Sequence, residues 1–273
     1  MTTCDLPAVI EPEDLHARLG SDLRMLIVDL CKDERFAQAH IAGAVHLEYR
    51  QLVTGTQPAP GQIPPPEQLS DMLSALGCRF DSKVVAYDDE GGGKAARFLW
   101  TLDVVGHPCF ALLNGGILAW AAENYPVTAD FVAPSRSDYP VSVGDRGIAD
   151  LGYIRTRLGH PQFALLDART PAEFDGSQVR AARGGHIPGA KNLNWLDTLD
   201  PQRNYRFKPN DELITALAER GLTPDRDIVT YCHTHHRSAH SYIMLKHLGY
   251  TNLSGYPGSW SEWGNRTDTP VET

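Results

Sequence analysis

The sequence predicts an α/β fold built twice: two homologous domains, each a parallel sheet covered by helices on both faces. Three observations point there. Short apolar runs alternate with longer segments of helical period, four motifs of the first half return in the same order in the second, and periodicity lapses between the halves.

In chain order, residues 23–30 read as a strand, residues 66–76 as a helix and residues 84–87 as a strand that is apolar throughout. The second half repeats the series, with strands at 163–167 and 228–231 and a helix at 211–220 that Gly221 stops. Continuous apolar runs bounded by polar residues are the mark of strands buried on both faces, which parallel sheets require. The repeat is visible residue by residue. Leu26-Ile27-Val28-Asp29 returns as Ala164-Leu165-Leu166-Asp167, and His40-Ile41-Ala42-Gly43-Ala44 as His186-Ile187-Pro188-Gly189-Ala190. Lys83-Val84-Val85-Ala86-Tyr87 returns as Asp227-Ile228-Val229-Thr230-Tyr231, and residues 115–120 as residues 258–263. Between 129 and 147 Pro134, Ser135, Ser137, Asp138, Pro140 and Gly144 accumulate. The expected division is therefore a first domain over 1–130, a linker over 131–147 and a second domain over 148–273.

Composition narrows the function. A chain of 273 residues, 42% apolar and 22% charged, can fill two cores. Its net charge of −9 argues against binding nucleic acid or an anionic membrane surface. No apolar stretch approaches the ~20 residues that span a bilayer, and the first seven residues lack the features of a signal peptide, so a cytoplasmic location is expected. The five cysteines are odd in number, scattered and free of C-x-x-C spacing, which speaks against a disulfide framework and a Cys-rich zinc site. Cys31, Cys78 and Cys109 read as small core or boundary residues.

Cys232 differs. It follows the apolar strand directly and opens Cys232-His233-Thr234-His235-His236-Arg237, after which Tyr242, Leu245, Leu248 and Gly249 outline a helix. Open α/β sheets place ligands at that carboxyl edge. The orphan amides of the coming helix and its positive dipole end face the sulfur, with imidazoles and a guanidinium close by. Thiolate is thereby favoured, below the ~8.5 of a free cysteine, and the same amides form a cradle for an anion. Packing and metal binding are the alternatives. Four ligands within five consecutive residues leave little room for a tetrahedral site, so no metal is expected. A merely packed cysteine fits poorly with Asp88, which follows Tyr87 at the matching place in the first half. Asp88 to Lys94 fails the P-loop pattern at two positions and reads as a turn into a helix beginning near Lys94. His40 and His186, shared by both halves, read as structural.

On these residues the whole chain resembles the tandem-domain rhodanese family. The marks are residues 186–190, the strand–Cys–loop–helix element, and Gly258-Ser259-Trp260-Ser261-Glu262-Trp263. The loop looks like a C-x-T-H-H-R variant found in some bacterial rhodaneses. The resemblance implies two rhodanese-like domains, each a parallel sheet of about five strands with helices on both faces, the first catalytically silent. It also implies transfer of sulfane sulfur by a ping-pong mechanism from thiosulfate to cyanide or another thiophilic acceptor, such as a thiol, through a Cys232 persulfide. The alternatives are 3-mercaptopyruvate as donor, or a persulfide carrier that serves a protein partner. Backbone amides of His233, Thr234, His235, His236, Arg237 and Ser238 would hold the persulfide, and no cofactor is implied. The spacing from Cys232 to Arg237 is C-x4-R, shorter than the C-x5-R of related phosphatases, which suits a sulfur atom. Thr234 stands where a lysine is expected, leaving His235, His236 and Arg237 as cationic contacts. Glu173 stands where many relatives carry arginine, and Arg169, Arg180 or Arg183 are the candidates to replace it. Arg169 is equally readable as an ion-pair partner of Asp167 or Glu173, and Trp195 as either a wall of the site or a core residue.

Overall fold

The computed structural model describes residues 4–273, which divide into two compact units. One comprises the described residues through Leu52 with Pro64–Gly144 and Asp200–Phe207; the other comprises Val53–Ile63, Asp145–Leu199 and Lys208–Thr273. The first unit carries a five-stranded sheet in the order Val9–Ile10, Phe110–Leu113, Lys83–Tyr87, Met25–Asp29, Val45–His46, every pairing parallel. The second carries four parallel strands, Leu253–Gly255, Asp227–Tyr231, Phe163–Asp167 and Lys191–Asn192. A lone parallel bridge from Ile148 to Gly255 stands where the other sheet has its edge strand. Helices Pro66–Ala75 and Asn210–Ala218 occupy the matching places in the two repeats.

Each sheet centres on a strand that is buried at every residue, Lys83–Tyr87 in one and Phe163–Asp167 in the other. A strand hidden on both faces leaves no backbone group to water, so every amide must be paired in the ladder or by a side chain. The repeats solve this identically. Asp29 lies opposite Tyr87, and Asp167 opposite Tyr231. The two phenol oxygens accept the amides of Ile41 (3.1 Å) and Ile187 (3.2 Å). His40 and His186 stack on Phe36 and Phe174 with ring centroids 4.0 and 3.6 Å apart, each Nδ1 bonded to the carbonyl of its stacking partner. Trp120 and Trp263, fully buried, donate their indole N–H to the carbonyls of Pro126 and Pro270.

One expectation fails. Cys4 and Cys109 are joined in a disulfide, although the sequence separates them by 105 residues. The reason is register: Val9 pairs with Leu112 and Ile10 with Leu113 in parallel, so the segments leading into the two strands run side by side. Among the described residues no helix is long and apolar enough to cross a membrane.

The Tyr231 phenol gives a test of the shared scaffold. Tyr231→Phe leaves the Ile187 amide buried without an acceptor, a loss of about 1–3 kcal/mol. Urea unfolding of the two proteins should show it as a lower midpoint at unchanged slope; an unchanged midpoint would mean that the amide has another partner.

Candidate active site

The strand Asp227–Tyr231 delivers Cys232 to the carboxyl edge of its sheet, and the helix Arg237–His247 leads away. The turn between them requires a left-handed residue, and His235 takes that role at φ 57°. For a residue with a Cβ this conformation costs about 1–2 kcal/mol, and it persists only where the surroundings hold it. Here the ring is fully buried and its Nδ1 meets the Ser238 hydroxyl at 2.7 Å. A second left-handed residue, Ser259 at φ 50°, stands beside the loop. Its hydroxyl accepts the Cys232 amide (3.3 Å) and donates to the Tyr256 carbonyl (2.7 Å). The amides of Trp260 and Ser261 then bond the carbonyls of Cys232 and His233, each at 3.0 Å. Gly61, from the Val53–Ile63 segment of the same unit, passes so close that a Cβ there would lie 2.3 Å from the Thr234 carbonyl oxygen. Only glycine fits that approach.

Cys232 is 1% exposed, while His233, Thr234, His236 and Arg237 on the same loop are half-buried. Burial by itself favours the neutral thiol, and the other free cysteines obey: burial pushes Cys78 up to about 12 and carries Cys31 further still, with Asp29 adding to the effect. Cys232 goes the other way. Desolvation is the largest single influence and raises it, but the Arg237 charge, the hydroxyl and amide of Ser238, and the Thr234 amide together bring it below its ordinary value. Hydrogen bonds to an ion are the strong ones. Because the Ser238 hydroxyl has one proton, pointing it at a thiolate requires His235 Nδ1 to carry a hydrogen and donate to the same oxygen. His235 therefore aims the hydroxyl. His233 is held toward the neutral form, first by burial and then by Arg237.

The matching loop of the first unit uses the same scaffold with Asp88 in the place of the cysteine. Asp88 is fully buried, and its carboxylate accepts the amides of Glu90 (3.0 Å), Gly92 (2.8 Å) and Ala95 (3.0 Å). The helix Gly93–Val104 follows. A Cβ on Gly116, which occupies the place of Ser259, would lie 2.3 Å from the Asp88 carbonyl oxygen.

Two of the arginines proposed as substrate contacts are engaged elsewhere. Arg169 is 1% exposed, chelates Asp167 with bonds of 2.6 to 3.0 Å and donates to the Gly185 carbonyl (2.8 Å). Arg183 donates to the carbonyls of Thr269 (2.7 Å) and Trp263 (3.0 Å) and to the Thr269 hydroxyl. Both orient backbone, because carbonyls without a strand partner need a donor. Trp195 is buried with its ring edge-on to His240 at 5.3 Å and 6.1 Å from His236, so it backs the loop from within. Arg237 is not an open cation either. Its two terminal nitrogens bond both Glu173 oxygens at 2.6 and 2.9 Å. Burial would raise the Glu173 carboxyl, yet Arg237 and the Thr170 amide and hydroxyl outweigh it and bring it down to about 2. Glu173 also closes a capping box with Thr170 at the start of the helix Pro171–Phe174. The pattern Thr170-Pro171-Ala172-Glu173 carries that signal, and Ser259 lies in the repeated motif over 258–263, whereas nothing local marks Gly61. Among the described residues no group of three or more His, Cys, Asp or Glu side chains is arranged to hold a metal ion.

Comparison with known proteins agrees with this architecture. The rhodanese-like domain family matches residues 11–123 and again residues 150–266. A thiosulfate sulfurtransferase of Azotobacter vinelandii is 46% identical over 267 residues, covering 98% of this chain and 97% of that one. One of Pseudomonas aeruginosa is 44% identical over 268 residues, covering 98% of each. The sulfur carrier protein TtuD of Thermus thermophilus is 33% identical over 279 residues, 97% of this chain and 96% of its own. Among solved structures, YnjE has a TM-score of 0.88 at 21% identity, covering 97% of this chain and 68% of that one. Wild-type EanB has 0.85 at 19%, covering 97% and 69%; at such identities the likeness is one of fold. With both of its repeats matched and thiosulfate sulfurtransferases 44% and 46% identical over nearly their whole length, this chain belongs to the rhodanese family.

Proposed function

We propose that the chain is a thiosulfate sulfurtransferase in which Cys232 is the nucleophile. The observation that carries this reading is the buried Cys232 sulfur met by the amides of Thr234 and Ser238, the Ser238 hydroxyl and the Arg237 field. The Cys232 thiolate attacks the outer sulfur of thiosulfate; the S–S bond of the donor breaks and sulfite leaves with the electron pair. A cysteine persulfide anion remains. Its terminal sulfur carries the same single charge as the thiolate and can use the same donors, so the positive cradle is organised before the charge moves, the arrangement that lowers a transition state most. In the second half, cyanide or another thiophile attacks the terminal sulfur, thiocyanate or its analogue departs, and the thiolate returns. Donor and acceptor thus use one site in turn, a ping-pong order. The division into a first domain over 1–130, a linker over 131–147 and a catalytic domain over 148–273 belongs to the same reading. In it Asp88 silences the first domain by filling its cradle with a carboxylate of its own. A carrier role, with the sulfur handed to a protein, is the second reading, and the likeness to a protein named as a sulfur carrier favours keeping it.

Two measurements test the proposal. Incubation with thiosulfate should add one sulfur, ~32 Da, the mass of a persulfide on the cysteine oxidation ladder. Cyanide should remove it, and Cys232→Ser should abolish it; a sulfur that stays on the Cys232→Ser protein would refute the assignment. The Ser238 hydroxyl is tested through the pH dependence of alkylation by iodoacetamide. Loss of one hydrogen bond to a charged group, about 1.5–3 kcal/mol, corresponds to a rise of about one to two pH units in the thiol midpoint of Ser238→Ala. The sign follows from the thiolate being the reactive form: the variant should lose reactivity at a higher pH as the pH falls. Ser238→Thr should restore the midpoint, and identical midpoints in all three proteins would contradict the role of the hydroxyl.

A further inference from the structure

Glu173 is almost fully shielded from water and ionised, and it faces three positive or donating groups at once. Arg237 chelates it with both terminal nitrogens, Thr170 bonds it through its amide and hydroxyl, and Arg180 approaches with Nε at 3.4 Å. The same Arg237 lies close enough to Cys232 to act on its charge. Arg180 differs from the neighbouring arginines in being about half exposed, at 53% for its side chain. Its ion pair with Glu173 runs through Nε, and among the described residues it makes no hydrogen bond to backbone. It is also near enough to the loop to influence His233, together with Arg237, Glu173 and Arg169.

On the sulfur-transfer reading, the donor is an anion that must reach Cys232, and the question is which cation meets it. Arg169 is held by the Asp167 carboxylate and the Gly185 carbonyl, Arg183 by the carbonyls of Thr269 and Trp263 and the Thr269 hydroxyl, and Arg237 has both arms on Glu173. We infer that Glu173 is the specificity-determining residue of this site, locking the Arg237 fork away from incoming substrate so that Arg180 is the cation that binds the donor's anionic end. Arg237 then serves the sulfur through its charge alone. The site offers a dianionic donor one adaptable, solvent-facing guanidinium in place of two. A planar fork suits the oxygens of a sulfonate-like group, and its tether to Glu173 through Nε leaves that fork free to turn outward. Glu173 acts on the reaction through Arg237 and Arg180, and so is a positioning residue.

Initial rates with two donors test this: thiosulfate, a dianion, and methanethiosulfonate, a monoanion with the same transferable outer sulfur. Arg180→Gln should raise the KM for thiosulfate about five- to tenfold, the loss of one partly screened charge-assisted contact, with kcat within about twofold because the contact is made equally in ground and transition states. The methanethiosulfonate KM should rise less. Glu173→Gln, which preserves the capping box, should lower the thiosulfate KM severalfold by releasing the Arg237 fork, and should also lower the thiol alkylation midpoint. A thiosulfate KM unchanged in Arg180→Gln, or equal effects on both donors, would overturn the inference. So would a higher thiosulfate KM in a folded Glu173→Gln protein. If Glu173→Gln fails to fold, the exposed Arg180→Gln still decides the identity of the donor-binding cation, and Glu173→Asp, which keeps the charge on a shorter stem, decides the lock: an unchanged ratio of the two donors' KM values would overturn it. A wild-type protein that takes no sulfur from thiosulfate is a separate result, which removes the functional reading on which the inference rests.

Discussion

The constraint on which the rest of the site depends is that Cys232 is almost fully buried and yet its thiol is shifted toward ionisation. Burial opposes charge, and a thiol with the exposure of Cys232 should resist ionisation as Cys31 and Cys78 do. The opposing force is local: two amides, one hydroxyl and one guanidinium brought to the sulfur by a turn that no relaxed chain adopts. The left-handed conformations of His235 and Ser259 mark what that turn costs, and the bonds from Ser259, Trp260 and Ser261 to the loop backbone keep it in place. Each stabilising contact is worth a kilocalorie or a few, so the geometry survives only because many act on the same few residues.

The first repeat makes the constraint visible by answering it differently. Its loop also turns amides inward, but what they meet is the covalently attached carboxyl group of Asp88. Gly91 and Gly92, with φ of 95° and 102°, adopt the difficult backbone angles without strain. On the proposed reading, a cradle filled by its own carboxyl group is a structural element, whereas one around the Cys232 sulfur can receive and release an atom. The shared scaffold, with its paired tyrosines, stacked histidines and terminal tryptophans, is indifferent to the choice.

Much of this was legible in the sequence, for identifiable reasons. Strands buried on both faces are continuous apolar runs, so Lys83–Tyr87, Phe163–Asp167 and Asp227–Tyr231 stood out, and the repeat doubled each signal. Cys232 was visible because a strand end, a polar loop and a helix start coincide there. What escaped notice depends on long-range geometry. The Cys4–Cys109 bridge needs the parallel register of two strands about a hundred residues apart in sequence. The proximity of Gly61 to Thr234 depends on a segment from the first half packing with the second unit. The surroundings of the arginines are of the same kind: sequence gives the charge of Arg169, Arg183 and Arg237, but not the carboxylates and carbonyls that already hold them.

The most direct test is the ionisation of Cys232 itself, followed as thiolate absorbance against pH in the native protein with Cys232→Ser as the blank. The difference signal should titrate with a midpoint below the ~8.5 of an unperturbed cysteine and persist toward neutral pH. A midpoint at or above that value would mean that burial prevails over the amides and Arg237, and that the loop does not prepare a nucleophile.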